Sequence, residues 1–341
     1  MTYEAIRRLL FGLDPESAHD LAVENIQRVQ QIEFAVRAIA RLCRPPATAR
    51  RDLLGLSFRS PIGIAAGFDK NAVMIPFLAA LGFGFIEVGT VTLQPQPGNP
   101  RPRMFRYPEV KALINRMGFN NDGADAVAER LKRYRASLSE EPVPPIFVNI
   151  GKNREVPLDA APAAYAACYA RLAPHADGVV LNLSSPNTPS LRELQRPEHL
   201  TAIIAAVRSA GPRRPLLVKI APDIDDALLG EICDATRSDA DGIICTNTTL
   251  DRLPGMNEAG GLSGKPLWSK STEVLRRVRE LVGPDYPLIG VGGVFTAADV
   301  RAKMAAGANL VQLYTGFIYE GPLLASRLAR QLAKPTEKPS N

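Results

Sequence analysis

The stretch Gly178-Val-Val-Leu-Asn182-Leu-Ser-Ser185-Pro-Asn187-Thr188-Pro189 decides the fold. Its β-branched apolar run reads as a buried strand and breaks abruptly into amides, hydroxyls and two prolines. A strand of this kind delivers donors and acceptors to the mouth of a site. Taken alone, the segment reads as well as a Ser/Asn/Pro turn whose side chains satisfy local backbone. The rest of the chain separates the two readings.

Seven further short apolar runs share the pattern: Ile62–Ala66, Phe85–Val88, Ile146–Ile150, Leu216–Ile220, Gly242–Thr246, Leu288–Val291 and Leu310–Tyr314. With Val179–Asn182 they make eight strands, and most gaps are long enough for a crossover helix. Strands alternating with helices imply a parallel sheet, and eight such units predict a (β/α)8 TIM barrel in the α/β class. A doubly wound open sheet is the alternative. A barrel carries its site at the C-terminal ends of the strands. Those ends read Ala66-Gly67-Phe68-Asp69-Lys70, Gly89-Thr90, Asn149, Asn182 to Thr188, Lys219, Thr246-Asn247-Thr248, Gly290-Val-Gly292-Gly293 and Tyr314-Thr315-Gly316. Each strand thus delivers a glycine, an amide, a hydroxyl or a lysine to one side.

Before Arg44-Pro45-Pro46 the pattern is helical. Ile6, Leu9, Leu10 and Leu13 fall at helical spacing, and Asp14-Pro15-Glu16 starts a second helix with an N-cap acid and proline at its first position. Ile32, Ala35, Val36, Ile39 and Leu42 mark a third. The chain therefore divides into a small N-terminal helical extension (1–44), the barrel (45–336) and a flexible tail (337–341).

Composition narrows the function. With 46% apolar and 22% charged residues the 341-residue chain can bury a large core. No apolar run approaches the ~18 residues of a membrane span, and the N-terminus lacks the features of a signal peptide. Four scattered cysteines and three dispersed histidines form no metal-ligand spacing, so no metal site is expected. The net charge of +6 comes without a basic run interleaved with aromatics, so no nucleic-acid partner is expected.

Glycines after strands seven and eight let backbone N–H groups approach a phosphate. A dinucleotide fingerprint fails, because its third glycine would fall at Phe295. A single phosphate, as on FMN, fits better. Asn115, Asn149, Asn182, Asn187 and Asn247 each donate and accept, so several can surround a planar ring carrying C=O and N–H groups. Lys70 and Lys219 add positive charge. These residues suggest a planar, imide-like anion beside a reducible cofactor, with one or two of the asparagines only capping turns.

Five motifs in order, Ala65-Ala66-Gly67-Phe68-Asp69-Lys70, Gly98-Asn-Pro-Arg-Pro-Arg103-Met-Phe-Arg106, Asn115-Arg-Met-Gly-Phe119-Asn120, Asn182 to Pro189 and Gly260-Gly-Leu-Ser-Gly264, resemble the quinone-dependent (class 2) dihydroorotate dehydrogenases. The resemblance covers nearly the full chain. It implies one FMN per chain and oxidation of (S)-dihydroorotate to orotate in pyrimidine biosynthesis, with electrons passed to ubiquinone or menaquinone. It also implies that Ser185 is the base that takes the C5 proton, with Thr188 and Phe119 assisting. Lys70, Asn115, Arg116, Met117, Gly118, Phe119, Asn182, Asn187, Asn247 and Thr248 would hold substrate. Ala66, Gly67, Phe68, Asp69, Lys70, Thr90, Asn149, Asn182, Lys219, Thr246, Gly264, Gly293, Tyr314 and Thr315 would hold FMN. Class 1 relatives carry cysteine where this chain has Ser185.

The resemblance also implies that the N-terminal helices form an apolar tunnel for quinone, lined by His19 and Arg106. From its own position His19 reads instead as a surface residue of the second helix's first turn. Residues 1–44 hold six arginines, no lysine and six acids, so apolar insertion rather than attraction to anionic lipid would anchor these helices. A peripheral monomer on the cytoplasmic face of the bacterial cell membrane is expected. The alternatives are a class 1 dihydroorotate dehydrogenase, a dihydrouridine synthase, or a non-enzymatic peripheral membrane module. The synthase lacks an extra basic domain here, and the membrane module leaves the eight polar strand ends unexplained.

Overall fold

A computed structural model describes residues 3–138, 143–188 and 190–334. The tail expected at 337–341 lies outside the described residues. The eight predicted strands form at Ile62–Ile64, Phe85–Val91, Ile146–Ile150, Gly178–Asn182, Leu216–Ile220, Gly242–Cys245, Leu288–Val291 and Leu310–Leu313. They close into a parallel barrel in chain order, and the eighth pairs with the first through Val311 beside Ile62. Closure rules out the open-sheet alternative.

Period-two alternation sorts the side chains of each strand. In the second strand Ile86 and Val88 face the helices, while Phe85 and Glu87 point into the barrel. The inward residues nearest the strand starts are apolar: Phe85, Phe147, Val180, Leu217, Ile244, Ile289 and Leu310. Those nearer the C-terminal ends are polar: Glu87, Asn149, Asn182, Lys219 and Gln312, all buried. One barrel therefore has a greasy floor and a polar mouth.

Phe58 closes the floor. It ends a hairpin of Arg51–Leu53 and Leu56–Phe58, and its ring meets Phe85 edge-on at 5.6 Å and stacks near Phe147 at 6.3 Å. Full burial of each ring contributes about 1.5–3 kcal/mol. The first strand makes room with Gly63, where an added Cβ would lie 2.4 Å from the Phe85 ring.

A second small sheet covers one side of the mouth. Met104–Tyr107, Ala112–Asn115 and Gly261–Gly264 pair antiparallel, with Ala112–Asn115 in the centre. Neither this sheet nor the floor hairpin was expected from the sequence. Their strands are three or four residues long and lack a sustained apolar run, so periodicity has too few positions to register.

Three helices precede the barrel: Tyr3–Phe11, Pro15–Gln30 and Glu33–Cys43. The Asp14 carboxylate accepts from the backbone N–H groups of Glu16 and Ser17, both at 3.0 Å, as the capping motif predicts. The first helix stops at Phe11 rather than running on to Leu13, because Gly12 and Leu13 turn back with N–H bonds to Leu9 and Leu10. Among the described residues no helix is long and apolar enough to cross a membrane.

Candidate active site

The polar mouth opens into a cavity of about 1040 Å³, counting its entrance. Strand ends, the small sheet and the loop after it all contribute to the lining. Lys70, Asn115, Met117, Gly118, Phe119, Asn182, Ser185, Asn187, Asn247 and Thr248 meet there. So do Ala66, Gly67, Thr90, Lys219, Thr246, Gly264, Gly293, Tyr314 and Thr315. Residues distant in sequence converge because consecutive strands place their C-terminal ends around one rim.

Five named residues do not reach the cavity. The Arg116 guanidinium turns outward, pairs with Glu258 at 2.7 Å and lies 4.5 Å over the Phe105 ring. Asp69 is fully buried and accepts from the N–H groups of Val73 and Met74, which makes it the clamp of its own loop. Asn149 sits one layer below, between Thr90 and Glu87. Thr188 is buried beside the lining, and its carbonyl accepts from Leu191 N–H. Phe68 points the other way, towards the N-terminal helices.

The amides are already committed to one another on one side. Asn247 donates to Asn182 at 3.2 Å, and Asn182 donates to the Thr90 hydroxyl at 2.8 Å. Asn187 donates to Asn115 at 3.2 Å. The Ser185 hydroxyl, 5% exposed, accepts from Asn187 N–H at 3.2 Å. Phe119, at φ +57°, and Gly118, at φ +74°, bend the loop over the cavity. Left-handed backbone is uncommon for a residue as bulky as phenylalanine, so the surroundings hold Phe119 in place.

Three buried oxygens have no hydrogen-bond partner among the described residues: Asn120 Oδ1, Asn187 Oδ1 and Gln312 Oε1. All three residues line this cavity. A buried unpaired acceptor costs about 1–3 kcal/mol, and here all three await N–H or O–H donors from a ligand. The residues present therefore fit flat ligands with ring N–H groups. Sequence reading missed Asn120, Ser263, Gln312 and Glu87. An acid at an inward position of an otherwise apolar strand was the signal that could have found Glu87.

Charge comes from two lysines. Burial under the helices lowers the Lys70 pKa to about 8, against the pull of nearby Glu16. Lys219 lies 3.7 Å from the Glu87 carboxylate.

The helices approach the same site from outside the barrel. His19 is half-buried rather than on the surface, and its ring meets Phe68 edge-on at 5.5 Å. Phe68 in turn contacts Tyr314, which lines the cavity, at 6.2 Å. Burial, with Lys70 nearby, lowers the His19 pKa to about 3, so the imidazole is neutral at pH 7. Arg106 donates to the carbonyls of Leu10 and Leu13 and lies 4.5 Å over the Phe11 ring. Glu16, on the second helix, forms a buried 2.7 Å pair with Arg103. Arg103 also holds the carbonyls of Pro97 and Asn99, and Asn99 holds the carbonyls of Arg116 and Asn187.

Residues 48–335 match the family described as dihydroorotate dehydrogenase. A Burkholderia cenocepacia protein named dihydroorotate dehydrogenase (quinone) is 47% identical over 97% of both chains. A Paraburkholderia phymatum protein of the same name is equally similar over the same shares. The crystal structure of Eimeria tenella DHODH with ferulenol superposes with a TM-score of 0.86 at 36% identity, covering 95% of this chain and 93% of that one. With its eight-stranded barrel, its amide-lined mouth and this near full-length similarity, the chain belongs to the dihydroorotate dehydrogenase family.

Proposed function

We propose that this protein oxidises dihydroorotate to orotate in pyrimidine biosynthesis, with FMN as the redox cofactor and a membrane quinone as the final acceptor. The observation that carries this reading is the convergence of Ser185, Lys70 and the asparagines on one cavity that holds three unpaired acceptors. Dihydroorotate is a small cyclic anion with two ring N–H donors, its oxidised product is planar, and Asn187 and Asn120 offer acceptors of the matching kind. Lys70 supplies a cation for the carboxylate.

FMN, when bound, supplies the two-electron acceptor for the hydrogen leaving C6. Ala66, Gly67, Thr90, Lys219, Thr246, Gly264, Gly293, Tyr314 and Thr315 would hold it, the last three at the glycine-rich ends where a barrel binds phosphate. Lys219 would stabilise negative charge on the reduced ring. Ser185 would take the C5 proton. A serine is a weak base at its ordinary pKa, and its burial beneath the Phe119 loop excludes water from the transfer.

His19 and Arg106 would border the quinone path, and Phe68 would line it between His19 and Tyr314. Seven of the eleven exposed large apolar side chains among the described residues lie in the N-terminal helices and the turns between them, Phe34 at 81% and Leu9 at 72% exposure among them. This supports a peripheral attachment to the bilayer that holds the quinone. The N-terminal helices pack against the barrel helix Ile75–Ala80 and cover one flank of the barrel, which supports a monomer.

The test is optical. The purified protein should be yellow, lose its colour with dihydroorotate under anaerobic conditions, and regain it with a soluble quinone. Colour that dihydroorotate cannot bleach would reject the substrate. A protein that cannot be loaded with FMN would reject the cofactor.

A further inference from the structure

Glu87 is fully buried inside the barrel, one layer beneath the cavity. Its Oε1 accepts from Asn149 Nδ2 at 2.6 Å and lies 3.7 Å from Lys219 Nζ, and its Oε2 accepts from Gln312 Nε2. The carboxylate of an ion pair can only accept, so both amides must turn their NH2 groups towards it. The consequence propagates. Asn149 Oδ1 is left to accept, and does so from Thr90 Oγ1 at 2.6 Å. Thr90, having donated its proton, accepts from Asn182 Nδ2 at 2.8 Å. Asn182 Oδ1 then accepts from Asn247 Nδ2 at 3.2 Å. On the other arm Gln312 Oε1 is left as an unpaired acceptor at the cavity. One carboxylate thus sets the donor or acceptor sense of five polar residues around the mouth.

We propose that Glu87 is a positioning residue for the ring-binding site: it anchors Lys219, fixes the order of donors and acceptors in the amide chain, and lowers the reduction potential of the flavin bound there. This rests on the flavin reading of the cavity. A negative charge inside a low-dielectric barrel disfavours a ring that gains electron density, and offsets part of the pull of Lys219. The balance keeps the reduced cofactor a strong enough donor to a quinone.

The test is the midpoint potential of the FMN-loaded holoenzyme, measured by spectroelectrochemistry for wild type, Glu87→Gln and Glu87→Asp. The potential of Glu87→Gln should move to a more positive value, with slower reoxidation by quinone. That of Glu87→Asp, which keeps the charge, should stay near wild type. An unchanged or more negative potential in Glu87→Gln, even with lowered thermal stability, would reduce Glu87 to a structural ion pair and overturn the inference. If Glu87→Gln yields no folded holoenzyme, the infrared difference spectrum of wild type on flavin reduction decides. A shifted carboxylate band supports the coupling, and its absence overturns it. A wild-type protein that never takes up flavin overturns the cofactor reading as well. A flavin-loaded wild type with an unshifted Glu87→Gln variant overturns this inference alone.

Discussion

The barrel mouth and the N-terminal helices solve opposite problems with the same chain. At the mouth nearly every polar group is held by another, from Glu87 through Asn149, Thr90 and Asn182 to Asn247, and the few unpaired acceptors face one cavity. In the N-terminal helical region the distinctive feature is apolar surface left in solvent. A rigid polar shell suits a small anion that must be oriented for proton transfer. A loosely committed apolar surface suits a lipid-soluble partner that arrives from a bilayer. The Glu16–Arg103 pair joins the two regions.

This contrast can be broken at several points, beginning with the largest effect. Ser185→Ala should slow flavin reduction by dihydroorotate by about 10³-fold, the range expected for loss of a general base, while the yellow colour remains. Stopped-flow bleaching rates check this, and a near-normal rate removes Ser185 from the proton transfer. Glu16→Gln leaves the Arg103 guanidinium, 7% exposed, without its carboxylate. Breaking such a buried pair should cost about 3 kcal/mol in urea unfolding. A cost near zero would mean that the helices and barrel are not energetically joined there.

Replacing Leu9 and Phe34 together by Asp should weaken binding to neutral lipid vesicles at least about tenfold, since each buried apolar side chain contributes about 1.5–3 kcal/mol. Flavin reduction by dihydroorotate should be unaltered. Vesicle co-sedimentation beside the bleaching assay separates the two outcomes. The smallest effect concerns pH. Lys70 titrates at about 8, so its positive charge is present below that pH and lost above it. The KM for dihydroorotate should therefore rise above pH 8, by up to about tenfold per unit, because the substrate carboxylate loses its cation. A flat KM from pH 7 to 9.5 would place the carboxylate elsewhere.

The eight strands and the amide-rich ends were legible because strand periodicity and strand-end composition are local signals. The helix start at Asp14-Pro15-Glu16 was legible for the same reason. Glu87 and Gln312 were not, because an inward position matters only once Lys219 and Asn149 are known to lie across the barrel. The three-stranded sheet was hidden because Gly261–Gly264 joins strands about 150 residues earlier in the chain. Arg116 was grouped with its neighbours in a motif, yet the turn at that point sends its side chain to Glu258. His19 was read as a surface residue because nothing in its own helix announces Phe68.

The central claim is that the mouth reduces the cofactor and the helices give access for its reoxidation. Stopped-flow measurement of both half-reactions in a combined His19→Ala and Arg106→Ala variant tests it most directly. The account predicts bleaching by dihydroorotate at the wild-type rate and reoxidation by quinone slowed severalfold or more. Equal loss in both half-reactions, or loss in bleaching alone, would contradict it.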